Sequence, residues 1–261
     1  LLAIPTPLMV AEKLGEMRSG GCTYAANLAG ITPPAMARWD VNREILRLIS
    51  HQSDFNIDTA IPNIARRWVS ESNADELVAI WKLVQESVRG FPPAGLYTSW
   101  GMAWYKLWIR PLVPDIDAIP EADREYYEHF LLATPHNPNR VDLNMDILFE
   151  LGGPDLAEKI AGRISRNALP AVESALSALH KKIASLDEND PYREVFEDLL
   201  ERLRGLRAWY VTQRNVQAWI AGVHGYLRAK TDGRDADMTT RRRYLDEMID
   251  SELQNTRELI S

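Results

Sequence analysis

Carboxylate pairs are the first side chains to consider for chemistry, because cleavage of a glycosidic bond uses two carboxyl groups at a fixed separation. Asp115 and Asp117 flank Ile116, so an extended segment would point both in the same direction. Asp142 and Asp146 are one helical turn apart. Each pair also has an ordinary interpretation, since Asp is common in turns and at helix starts. The sequence therefore predicts no catalytic residue.

A tryptophan stripe is the most specific pattern in the chain. Trp100, Trp104 and Trp108 recur every four residues, so a helix would stack them along one face, and Arg110 follows. Indole rings bind the apolar faces of sugars when partly exposed, whereas a buried stripe is ordinary helix core. Both interpretations stay open.

A polar loop at 134–140 is held by two prolines. Its side chains suit the recognition of hydroxyl or carboxylate groups, although a rigid connector has the same composition. With the stripe it completes the predicted substrate-binding set: Trp100, Trp104, Arg110, His136, Asn137, Arg140 and Asp142.

Histidine and cysteine spacing predicts neither a metal site nor a cofactor. The closest histidine pair, His129 and His136, is interrupted by Pro135, and the chain has no HExxH or CxxC motif. Cys22 is the only cysteine, and we expect it to be a small buried apolar residue.

Charge and hydropathy exclude two partner classes. The formal net charge is −7, so no basic face for nucleic acid is predicted. Apolar stretches end well short of the ~18 residues that cross a bilayer, so no membrane partner is predicted. Hydrophobic residues make up 46% of the chain, which predicts a globular protein with its own core.

The elements that would position these residues are mainly helical. Residues 1–35 predict a helix from Pro7 that Gly20-Gly21 ends, then a short strand over 22–26, which is typical of an α/β unit. The opening has neither an initiator Met nor a basic leader, so we expect this unit to be the end of an upstream barrel.

Residues 36–261 predict an α-helical domain, with a subdivision near 152–154. Asp58 and the run 73–76 are expected to start helices, and Pro170 should kink the helix over 155–186. The helix that follows carries a polar seam that is expected at a domain interface, although a solvent-exposed face is the preferred explanation for its arginines; the seam consists of Arg207, Trp209, Gln213, Arg214, Asn215, Gln217 and Trp219. The last helix, 238–260, is expected to bury Leu245, Ile249 and Leu253. Three long helices with short loops predict an antiparallel bundle.

Three segments, taken in their order along the chain, resemble parts of a known enzyme family. Residues 20–33 look like the last strand and loop of a (β/α)₈ barrel, Trp39–Glu44 leads into Ala65–Trp68, and a helix with Trp81 ends in Phe91-Pro92-Pro93. This layout resembles large bacterial glycoside hydrolases of the α-glucuronidase-like and β-hexosaminidase-like kind.

The resemblance implies an accessory C-terminal helical domain of a glycoside hydrolase. Such a domain supports its barrel and lines part of the substrate cleft, and its partners are the upstream barrel of the same protein and an oligosaccharide. Catalytic groups of these barrels lie at strand ends, here upstream of Leu1. The alternative hypothesis is a stand-alone helical interaction or scaffold protein without enzymatic activity.

Overall fold

The computed structural model describes residues 4–22, 38–51, 55–92, 119–128 and 153–260. Within these ranges the protein is mainly α-helical and contains no strand. The helices are α1 (Pro7–Ser19), α2 (Val41–His51), α3 (Ile57–Trp68), α4 (Glu71–Gly90), α5 (Glu121–Glu128), α6 (Gly153–Arg163), α7 (Leu169–Ser185), α8 (Arg193–Thr231) and α9 (Asp235–Ile260), with a π-helical segment at Ile164–Ala168 between α6 and α7.

The chain divides into two compact units, each built from separate stretches. Unit 1 consists of Leu1–Phe91 and Ser165–Tyr210, and unit 2 consists of Pro92–Ile164 and Val211–Ser261. Helix α8 runs through both. None of the helices in the described ranges is long and apolar enough to cross a membrane.

Unit 1 is a helical assembly in which α4 packs against α7 and α3, and α1 packs against α2 and α4. Its core is aliphatic, with Leu77, Val84 and Leu179 fully buried. Helix α7 and the first half of α8 are antiparallel, because Lys182 lies 5.9 Å from the centre of the Phe196 ring and Glu173, earlier on α7, lies 3.6 Å from Arg207, later on α8.

In unit 2 the second half of α8 runs antiparallel to α9. Contacts pair Gly225 with Arg241, Gly222 with Leu245, and Thr212 with Glu252, so positions advance in opposite directions. The turn between the helices contains Gly233 at φ +67°, a left-handed conformation that glycine adopts without strain. This part of the structure agrees with the predicted antiparallel helices.

A polar network joins α8 to α9. Asn215 donates to Glu252 at 2.8 Å, and Thr212 donates to the other carboxylate oxygen of Glu252 at 2.7 Å. Arg214 donates to Ser251 at 2.8 Å. Among the described residues of α9, only Asn255 is fully buried. The prediction that α9 buries Ile249 and Leu253 is wrong: their exposed fractions are 45% and 50%. The face that α9 turns toward α8 carries Leu245, which is half-buried, together with Glu252 and Asn255.

Helix boundaries confirm some sequence predictions and correct others. Helix α1 runs from Pro7 to Ser19 and ends before Gly20, as predicted. The start of α3 is capped by Asn56, whose side chain accepts from the Asp58 backbone, so Asp58 is not the cap. Ser70 precedes α4, which places the predicted capping run 73–76 inside the helix.

Two further expectations concern Cys22 and Pro170. Cys22 is exposed, so the expected buried position is wrong. It follows the glycine stop and directly precedes residues outside the described part of the chain, where the rest of the predicted strand lies. Near Pro170, α-helical geometry gives way to the π-helical segment Ile164–Ala168. A proline lacks the backbone N–H and crowds the preceding turn, which explains this departure.

Candidate functional site

A groove lined by tryptophans is the candidate site in unit 1. Its floor is apolar and buried, and we call the two half-buried tryptophans of its lining, Trp39 and Trp68, the rim. An ion pair, Asp198 and Arg202, supplies its charged groups. The complete lining is Pro5, Trp39, Trp68, Leu77, Trp81, Val195, Asp198, Leu199 and Arg202.

The N-terminal segment reaches the groove because α2 holds it. Asn42 on α2 accepts a hydrogen bond from the Thr6 backbone N–H at 2.7 Å and donates to the Ile4 carbonyl at 2.6 Å. These two bonds satisfy the backbone on both sides of Pro5, which is buried. A single amide side chain therefore fixes Pro5 at the groove.

Trp39 lies just before α2 and is held by two arginines. Arg202 donates from Nη1 to the Trp39 carbonyl oxygen at 3.3 Å. The Arg38 guanidinium lies 4.7 Å from the centre of the Trp39 ring, a cation–π distance. Arg38 also pairs with Glu194 at 3.1 Å. The position of this ring is therefore set by contacts with α8.

Trp68 and Trp81 form an aromatic pair across α3 and α4. Their ring centroids are 5.7 Å apart and their planes are 82° apart, which is the edge-to-face arrangement that aromatic rings prefer. Trp81 is 3% exposed and anchors the pair in the core. Trp68 ends α3 and keeps part of its ring accessible.

The charged pair of the groove comes from α8. Asp198 and Arg202 are one helical turn apart, with Arg202 Nη2 and Asp198 Oδ2 2.5 Å from each other. The Arg202 side chain is 9% exposed and the Asp198 side chain 30%. Arg202 is therefore enclosed, and Asp198 is the half of the pair that an incoming ligand can reach.

The size of the groove limits what it can hold. About 10 Å³ lies deep enough for a water molecule, and the space is about 250 Å³ when its mouth toward solvent is included. A sugar ring cannot be enclosed there, but it can lie on the rim. The arrangement is suited to holding one face of a ligand.

The groove's lining includes one carboxylate, whereas glycoside hydrolysis uses two. Over the described ranges, no cluster of three or more His, Cys, Asp or Glu side chains is arranged to hold a metal ion.

The substrate-binding residues predicted from the sequence all fall outside the described part of the chain. They are Trp100, Trp104, Arg110, His136, Asn137, Arg140 and Asp142, together with the paired carboxylates Asp115 and Asp117. In the sequence, Trp39, Trp68 and Trp81 contribute only to the resemblance, and no pattern connects them to a site. The i, i+4 spacing of Asp198 and Arg202 was the one local signal that could have indicated the groove.

No protein-family model, no curated protein and no solved structure matches this chain.

Proposed function

We propose that this chain is the accessory helical region of a carbohydrate-active enzyme of the glycoside hydrolase kind, and that its tryptophan groove contacts saccharide. The groove is the observation that carries the proposal. Sugars combine apolar C–H faces with hydroxyl groups, and partly exposed indole rings beside a charged pair match both features. The sequence resemblance to barrel enzymes with a helical C-terminal domain points in the same direction.

The role of each side chain in the proposed site follows from its chemistry. Trp39 and Trp68 offer flat apolar surface at the rim, and the accessible Asp198 can accept hydrogen bonds from hydroxyl groups. Arg202 neutralises Asp198 and keeps it in place. A group held in this way is fit to bind and orient a saccharide, while cleavage is assigned to the upstream barrel.

Saccharide binding to the purified chain tests this role. Affinity electrophoresis through gels containing xylan, soluble cellulose or chitin derivatives should retard the wild type on at least one of them. Trp39→Ala and Trp68→Ala should weaken retardation at least tenfold, because each removes a rim ring. Trp219→Ala, which removes a half-buried tryptophan of unit 2, is the matched control. Equal retardation of the wild type and both rim variants would show that the groove does not bind saccharide.

A scaffold function is the second candidate, and one surface favours it. Ile249 and Leu253 are one turn apart on α9 and are 45% and 50% exposed, and Ile260 is 81% exposed. Exposed apolar residues on one helix face are common at protein–protein contacts. Light scattering distinguishes the candidates: self-association that Ile249→Glu abolishes, without saccharide binding, would favour the scaffold.

A further inference from the structure

An apolar stripe runs along α9 on a side of the helix that does not face α8. Ile249, Leu253 and Ile260 are 45%, 50% and 81% exposed, and Thr256 between them is also exposed. Their spacing of four, three and four residues keeps them on one helix face. At about 100° per residue, that face lies more than a quarter turn away from Asn255, which bonds to α8. We call these four residues the α9 stripe.

Two opposite charges border the α9 stripe along the same edge. Asp250 and Arg257 are exposed and lie seven residues apart, so they are on one side of the helix and about 10 Å apart along its axis. That distance prevents them from pairing within one helix. Within the described part of the chain, neither side chain forms an ion pair or a hydrogen bond. A surface that presents the same two charges in the opposite order would complement them.

We propose that the α9 stripe is the interface of a homodimer in which α9 packs antiparallel against α9 of a second copy. Antiparallel pairing brings the same edge of the two stripes together. With Ile249 opposite the partner's Ile260, Leu253 lies opposite the partner's Thr256, and Asp250 comes within about 3 Å, along the axis, of the level of the partner's Arg257. The two-fold symmetry repeats every contact, so two ion pairs flank one apolar seam.

Charge selects this register over its neighbour. Sliding the partner by seven residues sets Ile249 opposite the partner's Leu253. It also brings Asp250 beside the partner's Asp250 and sets Ile260 opposite the partner's Arg242, so like charges meet and a charged group faces the apolar seam.

A parallel pairing fits the charges less well. It places the matching edges of the two stripes on opposite sides of the seam, so Asp250 and the partner's Arg257 do not meet. Arg257 would then lie near the partner's Glu252. In this structure Glu252 already accepts hydrogen bonds from Thr212 and Asn215 on α8. The antiparallel register is therefore the one in which the charges without partners are satisfied.

The size of the α9 stripe determines how strong the dimer can be. A standard interface buries about 800 Å² per partner, and the face of one helix offers less, so we expect a reversible dimer that forms at micromolar concentrations. The interface involves unit 2 alone and does not depend on the tryptophan groove. It gives a geometry to the self-association that the scaffold candidate requires, and it is equally compatible with saccharide binding.

Sedimentation velocity of the whole chain, from low micromolar to sub-millimolar concentration, tests the proposal. The wild type should dimerise. Asp250→Arg and Arg257→Asp should each weaken dimerisation at least tenfold, because both ion pairs become like-charge pairs. Glu247→Arg is the matched control: it makes the same change of charge at an exposed position on another side of α9, and it should leave dimerisation unchanged.

Mixing the two variants gives the sharpest test. In an equimolar mixture of Asp250→Arg and Arg257→Asp chains, each arginine again meets an aspartate of the partner. Heterodimers should therefore form about as readily as the wild-type dimer, and their formation also shows that both variants are folded. Leu253→Glu, which places a charge within the seam, should abolish dimerisation in every combination.

Three outcomes would overturn the proposal. A wild type that stays monomeric at every concentration would show that the stripe is not a self-association surface. Dimerisation of Asp250→Arg as strong as that of the wild type would refute the antiparallel register. A mixture no more dimeric than its two components would refute the pairing of Asp250 with Arg257. Saccharide retardation is measured separately and depends on the rim, so the dimer and the groove can fail independently.

Discussion

Gly90, the last residue of α4, provides a sharp test of the packing in unit 1. A Cβ atom added there would lie 3.0 Å from Asn167 Cβ, 3.1 Å from the Ala168 nitrogen and 3.1 Å from the Asn167 carbonyl carbon. Two of these three are backbone atoms of the π-helical segment and cannot rotate away. The φ angle of Gly90 is not positive, so close packing and not backbone conformation is what requires glycine here.

The expected effect of Gly90→Ala is a loss of about 1–3 kcal/mol in the free energy of unfolding, the usual result of overpacking. Gly15→Ala is the matched control, since Gly15 lies inside α1 with nothing within 4 Å of the added methyl group. Alanine should stabilise that helix by about 0.5–1 kcal/mol relative to glycine.

Urea unfolding followed by circular dichroism measures both changes, and the two variants should move the midpoint in opposite directions. Hydrogen exchange should locate the loss from Gly90→Ala in residues 164–168. A Gly90→Ala protein as stable as the wild type would refute the contact between the end of α4 and the π-helical segment.

Three further predictions concern pH, the polar network and activity. Burial raises the pKa of Tyr210 to about 12, so folding disfavours the phenolate and stability should fall as pH rises from about 10, where an unfolded tyrosine titrates. Urea titrations at pH 8 to 11 should show this loss, and Tyr210→Phe should reduce it; an equal loss in Tyr210→Phe would contradict the burial of this hydroxyl group. Asn215→Leu should destabilise unit 2 by about 1–3 kcal/mol, because Arg214 and Glu252 both lose their hydrogen bond to Asn215. Gln254→Leu, at an exposed position, should change the free energy of unfolding little. Equal stability of the two variants would contradict the network. The isolated chain should not hydrolyse aryl-glycosides or oligosaccharides, since cleavage needs two fixed carboxyl groups; turnover lost in Asp115→Asn or Asp117→Asn would show that the active site lies in this chain.

The first and last residues of a helix could be predicted where proline or glycine lies at the helix end. Pro7 and Gly20 delimit α1, and Gly90 with Pro92 ends α4, because these residues restrict or release the backbone locally. The start of α4 was not predictable in the same way. Ser70, Ser72 and Asn73 can all cap a helix, and the sequence does not reveal which of them lies outside the first turn.

The orientation of α9 shows a second limit of periodicity. The spacing of Ile249, Leu253 and Ile260 indicates that they share a face, but it does not specify which face meets a neighbour. In the structure, hydrogen bonds from Thr212 and Asn215 to Glu252 fix the contact, and the apolar residues point elsewhere. The α8–α9 contact combines these polar pairs with the close approach of Leu245 to Gly222, and a single sequence does not display such pairing between distant residues.

The groove combines residues that no local pattern connects. Trp39, Trp68 and Trp81 precede or lie on three successive elements, and Asp198 comes from α8, more than a hundred residues later. Only the packing of α8 against the N-terminal helices brings the carboxylate to the indole rings. Arg202 makes that arrangement specific, because it donates to the Trp39 carbonyl oxygen and forms an ion pair with Asp198. Removing this arginine would leave a partly buried carboxylate without its counter-charge and release Trp39. A single side chain therefore couples the electrostatics of the groove to the position of its aromatic rim.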